Sequence, residues 1–314
     1  MKYNKSFLDT YKKFISKGWY GSEIPTSTLE RWCENFSSQQ NDTFDPSICA
    51  YFLLNSLVFY QEKQLEAIIV QIQDKLISEL NQKNEEMLNR RLSDDELQDI
   101  WREYKEQTYI VSAALPRDTG DSAHHASRLW RNISGIDTGS IIELKEAIEV
   151  EGKKHIFFVD DFVGTGTKMT TFLSEQIFNN ENLYGFKCVR DVIKSFEDSV
   201  DFNIAVFAIH NEGKTRILDK FPTINFYFGD IYSEEYNLIS DTCVLYEMFA
   251  EDKGNIIEYI TKKLKEFDVD NKYALHLPVS FQHGCPNNSL ALYYHSDQNW
   301  NKLLSESHPK RIKS

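Results

Sequence analysis

One stretch limits this chain more than any other: Phe157-Phe158-Val159-Asp160-Asp161-Phe162-Val163-Gly164-Thr165-Gly166-Thr167-Lys168. An apolar run of this kind reads as a buried strand. It ends in two adjacent acids, and a small-residue loop then leads into a helix. In an open parallel sheet, ligands bind just beyond the carboxyl ends of the strands. Gly164 and Gly166 let the backbone approach a ligand closely. The amides of the loop and of the helix N-terminus favour an anion, most simply a phosphate. Thr165 and Thr167 add hydroxyl donors, and Lys168 adds a cation. Asp160 and Asp161 suit sugar hydroxyls, directly or through a Mg²⁺ ion. Phosphate and polyol together describe a ribose 5-phosphate group. The competing reading is an ordinary acidic turn at a strand end.

The surroundings agree with such a site. Residues 1–105 read as helical. Leu29, Trp32, Cys33 and Phe36 recur at helical spacing, and Asp45-Pro46 opens a second helix. Leu65, Ile68, Ile69, Ile72, Leu76 and Leu80 hold that period over 64–91. Ser93-Asp94-Asp95-Glu96 is a capping-box start. After Tyr109 the pattern changes. Short apolar runs at 109–114, 154–159, 202–208 and 224–228 alternate with helical stretches at 122–130, 169–179 and 256–267. Near-continuous apolar strands separated by helices imply a mostly parallel sheet covered on both faces. The expectation is an α/β fold with a helical N-terminal region at 1–105 and an α/β domain at 106–314.

Charge and cysteines narrow the partners. A formal net charge of -13 argues against a broad nucleic-acid-coating surface. The scattered Cys33, Cys49, Cys188, Cys243 and Cys285 form no CxxC pair and read as reduced thiols of a cytoplasmic protein. The N-terminus lacks the apolar run of a signal peptide, and no stretch approaches the ~20 apolar residues that span a bilayer. His124, His125, His210, His276 and His283 have no metal-ligand spacing with cysteines. Gly213-Lys214-Thr215 ends like a phosphate-binding P-loop, but Ala208 stands where the first glycine belongs, so it reads as a loop after the third strand.

The segment over 157–170 resembles the PRPP signature of type I phosphoribosyltransferases, which runs strand, acid, acid, apolar pair, small loop, helix. That resemblance implies a type I phosphoribosyltransferase-like fold. It implies that Asp160 and Asp161 contact the ribose hydroxyls, the latter chemistry assisted by Mg²⁺, and that Gly164, Thr165, Gly166, Thr167 and Lys168 hold the 5-phosphate. Gly164 stands where many members place an acid or a threonine. Type I enzymes also hold pyrophosphate in the loop after their first core strand. Here that loop carries Arg117 and the amides of Gly120, Asp121 and Ser122, which also suit a helix-capping turn. Arg128, on the following helix, either reaches phosphates or faces solvent.

Phe281-Gln282-His283-Gly284-Cys285-Pro286-Asn287-Asn288 reads as a turn feeding an apolar strand. With Asp121-Ser122 and the helix of Trp32 to Phe36, it resembles a narrower group, the phosphoribosyltransferase-like effectors of prokaryotic conflict systems, some of them retron-associated. The resemblance implies Asn287 and Asn288 near the site, an antiviral-defence toxin, and regulation by partners. Those would be a reverse transcriptase with its DNA–RNA product and a winged-helix protein. Three functions stay open: an enzyme acting at ribose C1, a non-catalytic sensor of PRPP or a nucleotide, and a scaffold whose helical region docks a partner. In the last, the basic tail His308-Pro309-Lys310-Arg311-Ile312-Lys313 would touch phosphates. Apolar residues on the helical region make a homo-oligomer an expectation.

Overall fold

The structure is a computed structural model and describes residues 25–37, 44–114, 122–174, 186, 188–267, 275–296 and 299–304. In chain order the helices and strands are α1 (Thr26–Glu34), α2 (Ser47–Ser56), β1 (Val58–Tyr60), α3 (Glu62–Leu88), α4 (Asp94–Glu106), β2 (Thr108–Ser112), α5 (Ser122–Ser134), α6 (Leu144–Glu149), β3 (Lys154–Val163), α7 (Thr167–Ser174), α8 (Val189–Phe196), β4 (Val200–His210), α9 (Asn211–Lys220), β5 (Asn225–Tyr232), α10 (Lys253–Glu266) and β6 (Val279–Phe281). They sort into two compact units. One is formed by residues 1–61 with 233–314, the other by residues 62–232. The boundary expected at residue 105 therefore falls inside the second unit. The physical reason is that α3 packs on α5 and β5 and belongs to the sheet's own covering layer.

The second unit carries the sheet. Its four strands are all parallel, in the order β2-β3-β4-β5. Every residue of β3 is buried, as expected for a central strand with neighbours on both sides and helices on both faces. Successive side chains of β3 alternate between faces. Ile156 and Phe158 join the apolar cluster of α6, α7, α8 and α9, which includes Ile148, Phe172, Val192 and Ile217. Phe157 lies on the opposite face, against Trp130 of α5 and Tyr227. On that face α3 buries Leu65, Ile68, Ile69, Ile72 and Leu76, one stripe at helical spacing. A Cβ on Gly229 of β5 would sit 2.6 Å from Ile68 Cγ2 and 2.7 Å from the Phe207 carbonyl oxygen, so glycine sets how closely helix and strand approach.

Local signals explain several ends. Ser93 and Glu96 form the capping box expected at α4: the Ser93 hydroxyl accepts from the Glu96 amide, and Glu96 accepts from the Ser93 amide at 2.9 Å. Lys154, buried at the start of β3, donates to the carbonyls of Ala147, Ile148 and Val150, the last turn of α6.

The first unit joins the two ends of the chain. β1 and β6 form a two-stranded parallel sheet, with Val58 opposite Val279 and Tyr60 opposite Phe281. Its core gathers Trp32, Phe36, Phe52, Tyr246, Ile256, Tyr293 and Trp300. The Trp32 indole donates to the Leu292 carbonyl at 2.8 Å, and the Tyr293 hydroxyl to the Leu53 carbonyl at 2.8 Å. The apolar run after Asn288, expected as a strand, is a short 3-10 helix at Ala291–Tyr293. Its residues are all buried, so no strand alternation is required of them, and the turn at Pro286 to Ser289 closes it back onto Leu277.

Candidate phosphate site at the carboxyl end of the sheet

Where β3 ends, a three-residue loop at 164–166 leads into α7. Gly166 has φ +75°, the left-handed region that favours glycine. A Cβ there would also stand 2.8 Å from the Gly213 carbonyl oxygen and 2.9 Å from Gly213 Cα. Conversely, a Cβ on Gly213 would overlap the Gly164 carbonyl oxygen and lie 2.9 Å from the Gly166 amide nitrogen. Gly166 and Gly213 thus let the loop lie directly on the first turn of α9. The N-termini of α7 and α9 both open at this end of the sheet. Gly213-Lys214-Thr215, expected as a loop, is instead the first half of α9. His210, the last residue of β4, caps that helix: its Nδ1 accepts from the Glu212 amide at 3.2 Å. An N-cap acceptor in the strand's last residue makes a separate loop unnecessary.

The loop hydroxyls are organised by their neighbours. Thr165 Oγ1 and Thr167 Oγ1 are 3.1 Å apart. Arg216 of α9 donates to Thr167 Oγ1 at 2.7 Å and, with its other arm, to Glu212 at 2.8 Å. Thr170 Oγ1 donates to the Gly166 and Thr167 carbonyls at 2.9 and 3.0 Å, which locks the first turn of α7. Arg216 escaped the sequence reading, and Gly213 entered it only within a rejected P-loop. The only signal was the run Gly213-Lys214-Thr215-Arg216 directly after an apolar strand, and its spacing matches no P-loop.

Asp160 and Asp161 are not at the strand's end. Pairing runs on to Val163, opposite Ile209, so both acids lie within β3 and are 1% and 5% exposed. The strand continues because Phe162 and Val163 are apolar and find partners on β4. Lys168 of α7 reaches Asp160, with Nζ 3.2 Å from Oδ1 and 3.1 Å from Oδ2, and the Asp161 amide donates to Asp160 Oδ1 at 3.0 Å. A buried carboxylate needs such compensation. By the alternation of the strand, Asp160 faces the α7 side and Asp161 the side of Phe157. Lys168, expected to serve phosphate, is thereby committed to Asp160 in this structure.

The two acids expected to hold Mg²⁺ are Asp160 and Asp161. Strand alternation places their carboxylates on opposite faces, and Lys168 holds that of Asp160. Among the described residues, no group of three or more His, Cys, Asp or Glu side chains is placed to hold a metal.

The remaining candidates divide. Ser122 is buried and is the first residue of α5, whereas Arg117, Gly120 and Asp121 lie outside the described residues. Arg128 is on the exposed side of α5. Asn287 is exposed and Asn288 half-buried in a turn of the first unit, whereas the loop at 164–167 belongs to the second. The basic tail also lies outside the described residues.

A parallel α/β sheet with a glycine–threonine loop at a central strand's carboxyl end is the arrangement expected of a phosphoribosyltransferase-type domain. Residues 29–305 match the family model PRTase-CE, and the chain belongs to that family. No curated protein matches it. A solved structure, the AQ2163 protein from Aquifex aeolicus, is similar over 41% of this chain and 56% of its own length, at 14% identity and a TM-score of 0.26. This chain thus spans little more than half of that protein, and so slight a likeness carries no detail. Among the described residues no helix is long and apolar enough to cross a membrane.

Proposed function

We propose that the chain is a phosphoribosyltransferase-like effector of a prokaryotic antiviral defence system of the retron type, binding PRPP or a nucleotide through its ribose 5-phosphate and acting at ribose C1. The observation that carries the ligand class is the meeting of two helix N-termini over the 164–166 loop, with Thr165, Thr167 and Arg216 beside it. Amide dipoles, two hydroxyls and a guanidinium at one place favour a phosphate dianion. The 5-phosphate would take the loop amides and the Thr167 hydroxyl, with Arg216 swinging from that hydroxyl to a phosphate oxygen. Asp161, and Asp160 once Lys168 releases it, would accept from the ribose hydroxyls. At C1 the bond to the leaving group breaks as an incoming nucleophile bonds to carbon. Mg²⁺ belongs to the incoming ligand, as the counter-ion of its diphosphate, and not to the protein alone.

One observation favours a second reading. Asp160 is tied to Lys168, and Gly164 offers no side chain to take a proton, which suits a sensor that binds without turnover. Calorimetry and mass spectrometry separate the two. The purified chain with Mg²⁺ is expected to bind PRPP or a nucleotide and consume it. Asp160→Asn with Asp161→Asn is expected to abolish turnover. Tight binding with no product would establish the sensor, turnover unchanged in the double variant would remove these acids from the chemistry, and no binding of any ribose phosphate would defeat both readings. The retron assignment predicts co-purification from the native operon with a reverse transcriptase, its DNA–RNA product and a winged-helix protein; recovery without any of them would refute it.

A further inference from the structure

The opposite end of the same sheet holds a cavity of about 280 Å³ with charged and polar side chains on its wall. It opens at the amino-terminal ends of β3, β4 and β5, roughly 30 Å along β3 from the phosphate loop at about 3.3 Å per residue. Nothing in the reading of the 164–167 loop involves it.

Its floor is satisfied internally. Asn203, 2% exposed, donates to the Asp201 carbonyl at 2.9 Å and accepts from Asn225 at 3.2 Å. The acids on its wall are also engaged. His155 Nδ1 lies 2.9 Å from Asp201 Oδ2, which holds the Asp201 carboxyl below the usual range. Glu79 accepts from the Tyr227 hydroxyl at 3.0 Å and has Lys75 at 3.9 Å.

What is left over is of one kind. His155 is 5% exposed and packs at 4.0 Å against the ring of Tyr104, itself 8% exposed. Neither His155 Nε2 nor the Tyr104 hydroxyl makes a hydrogen bond among the described residues, although both side chains line the cavity. Burial keeps the Tyr104 phenol protonated, with Tyr227, Asp201 and Glu79 acting the same way, so it offers an O–H. Lys83 of α3 and Lys153 before β3 line the same cavity and form no salt bridge among the described residues. Neither His155 Nε2 nor the Tyr104 hydroxyl is sealed from solvent, so both open on the cavity, where a bound group can pair them.

We propose that this cavity is a binding site for the phosphomonoester of a small metabolite, with Lys83 and Lys153 holding the phosphate and the Tyr104 hydroxyl and His155 Nε2 bonding the group next to it. Lys83 and Lys153 also act on Asp201 through space without an ion pair, and a phosphate dianion between them would take both ammonium groups. The volume suits a sugar phosphate or a nucleoside monophosphate, whose shared group is that phosphate.

The test is an NMR titration of the full chain, isotope-labelled at histidine and tyrosine, with inorganic phosphate, ribose 5-phosphate and AMP in turn. Saturable shifts of the His155 imidazole and the Tyr104 ring are expected, and the probe that binds most tightly distinguishes a sugar phosphate from a nucleotide. Both lysines are exposed, so Lys83→Ala with Lys153→Ala should fold and weaken that binding about tenfold. Tyr104→Phe, which removes only the hydroxyl, should weaken it as well. No saturable shift with any of the three probes at millimolar concentration, or affinity unchanged in the double lysine variant, would overturn the proposal. The readout is local to this end of the sheet, so either result leaves the phosphate-loop reading untouched.

Discussion

A methyl group on Gly213 would overlap the carbonyl oxygen of Gly164, a backbone atom that cannot rotate away. Gly213→Ala is therefore expected to destabilise the protein by about 1–3 kcal/mol, the usual cost of overpacking. It should also displace the 164–166 loop; urea unfolding together with ribose 5-phosphate binding checks both. His276 is a second position where one residue carries strain. It has φ +49°, is 6% exposed, and its buried Nδ1 has no hydrogen-bond partner. Burial pulls its imidazole down to about 4, against a small opposing pull from Glu234. The unfolded chain titrates near 6.5, so between about 6.5 and 4 it binds the proton that the folded chain refuses. Stability from this group is thus intact above about 6.5 and is lost as pH falls to about 4, by up to roughly 3 kcal/mol at 1.36 kcal/mol per unit. His276→Asn keeps a residue tolerant of positive φ and removes the titration. The difference in melting temperature between variant and parent should therefore widen in the variant's favour from pH 7 to pH 4. A constant difference would show that His276 does not titrate there.

At the scale of elements, α4 begins where its sequence says it should. The capping box is reinforced by Arg90, 2.5 Å from Glu96, and the hydrogen bonds from Arg90 and then from Ser93 draw the Glu96 carboxyl down to about 2. The box therefore survives mild acid. Ser93→Ala is expected to cost about 1 kcal/mol, read from the shift of the denaturation midpoint. The helices with a clean apolar stripe and the four strands of the sheet were all legible, because period and apolar runs leave a direct trace in residue order. Element ends were less so. Asp160 and Asp161 look like a strand terminus, yet β3 continues through them because Phe162 and Val163 pair with β4, while Lys168 folds back from α7 to pair with Asp160. Residues 290–293 look like a strand and form a 3-10 turn, since complete burial erases the alternation that distinguishes the two.

For the whole molecule, the middle of the chain forms one unit and the two ends form the other. Residues 62–232 contain their own four-stranded sheet, its crossover helices and an apolar cluster on one face. That segment alone is expected to unfold cooperatively. A fragment of residues 1–61 should not, because β1 finds its partner only in β6, more than two hundred residues later. Far-UV circular dichroism melts of the two fragments check this, and a gradual, non-cooperative melt of 62–232 would contradict it. The amino-acid order by itself determined the α/β class, the helix and strand periods, and the glycine–threonine loop at 164–167, since these depend on neighbours a few residues apart. Only the tertiary structure decided that Gly213 and Arg216 complete that loop, that Lys168 neutralises Asp160, and that the first sixty residues join the last eighty. Each of these rests on contacts beyond the reach of a helix or strand period, from eight residues for Lys168 with Asp160 to more than two hundred for β1 with β6, and chain order leaves no local trace of which groups will meet.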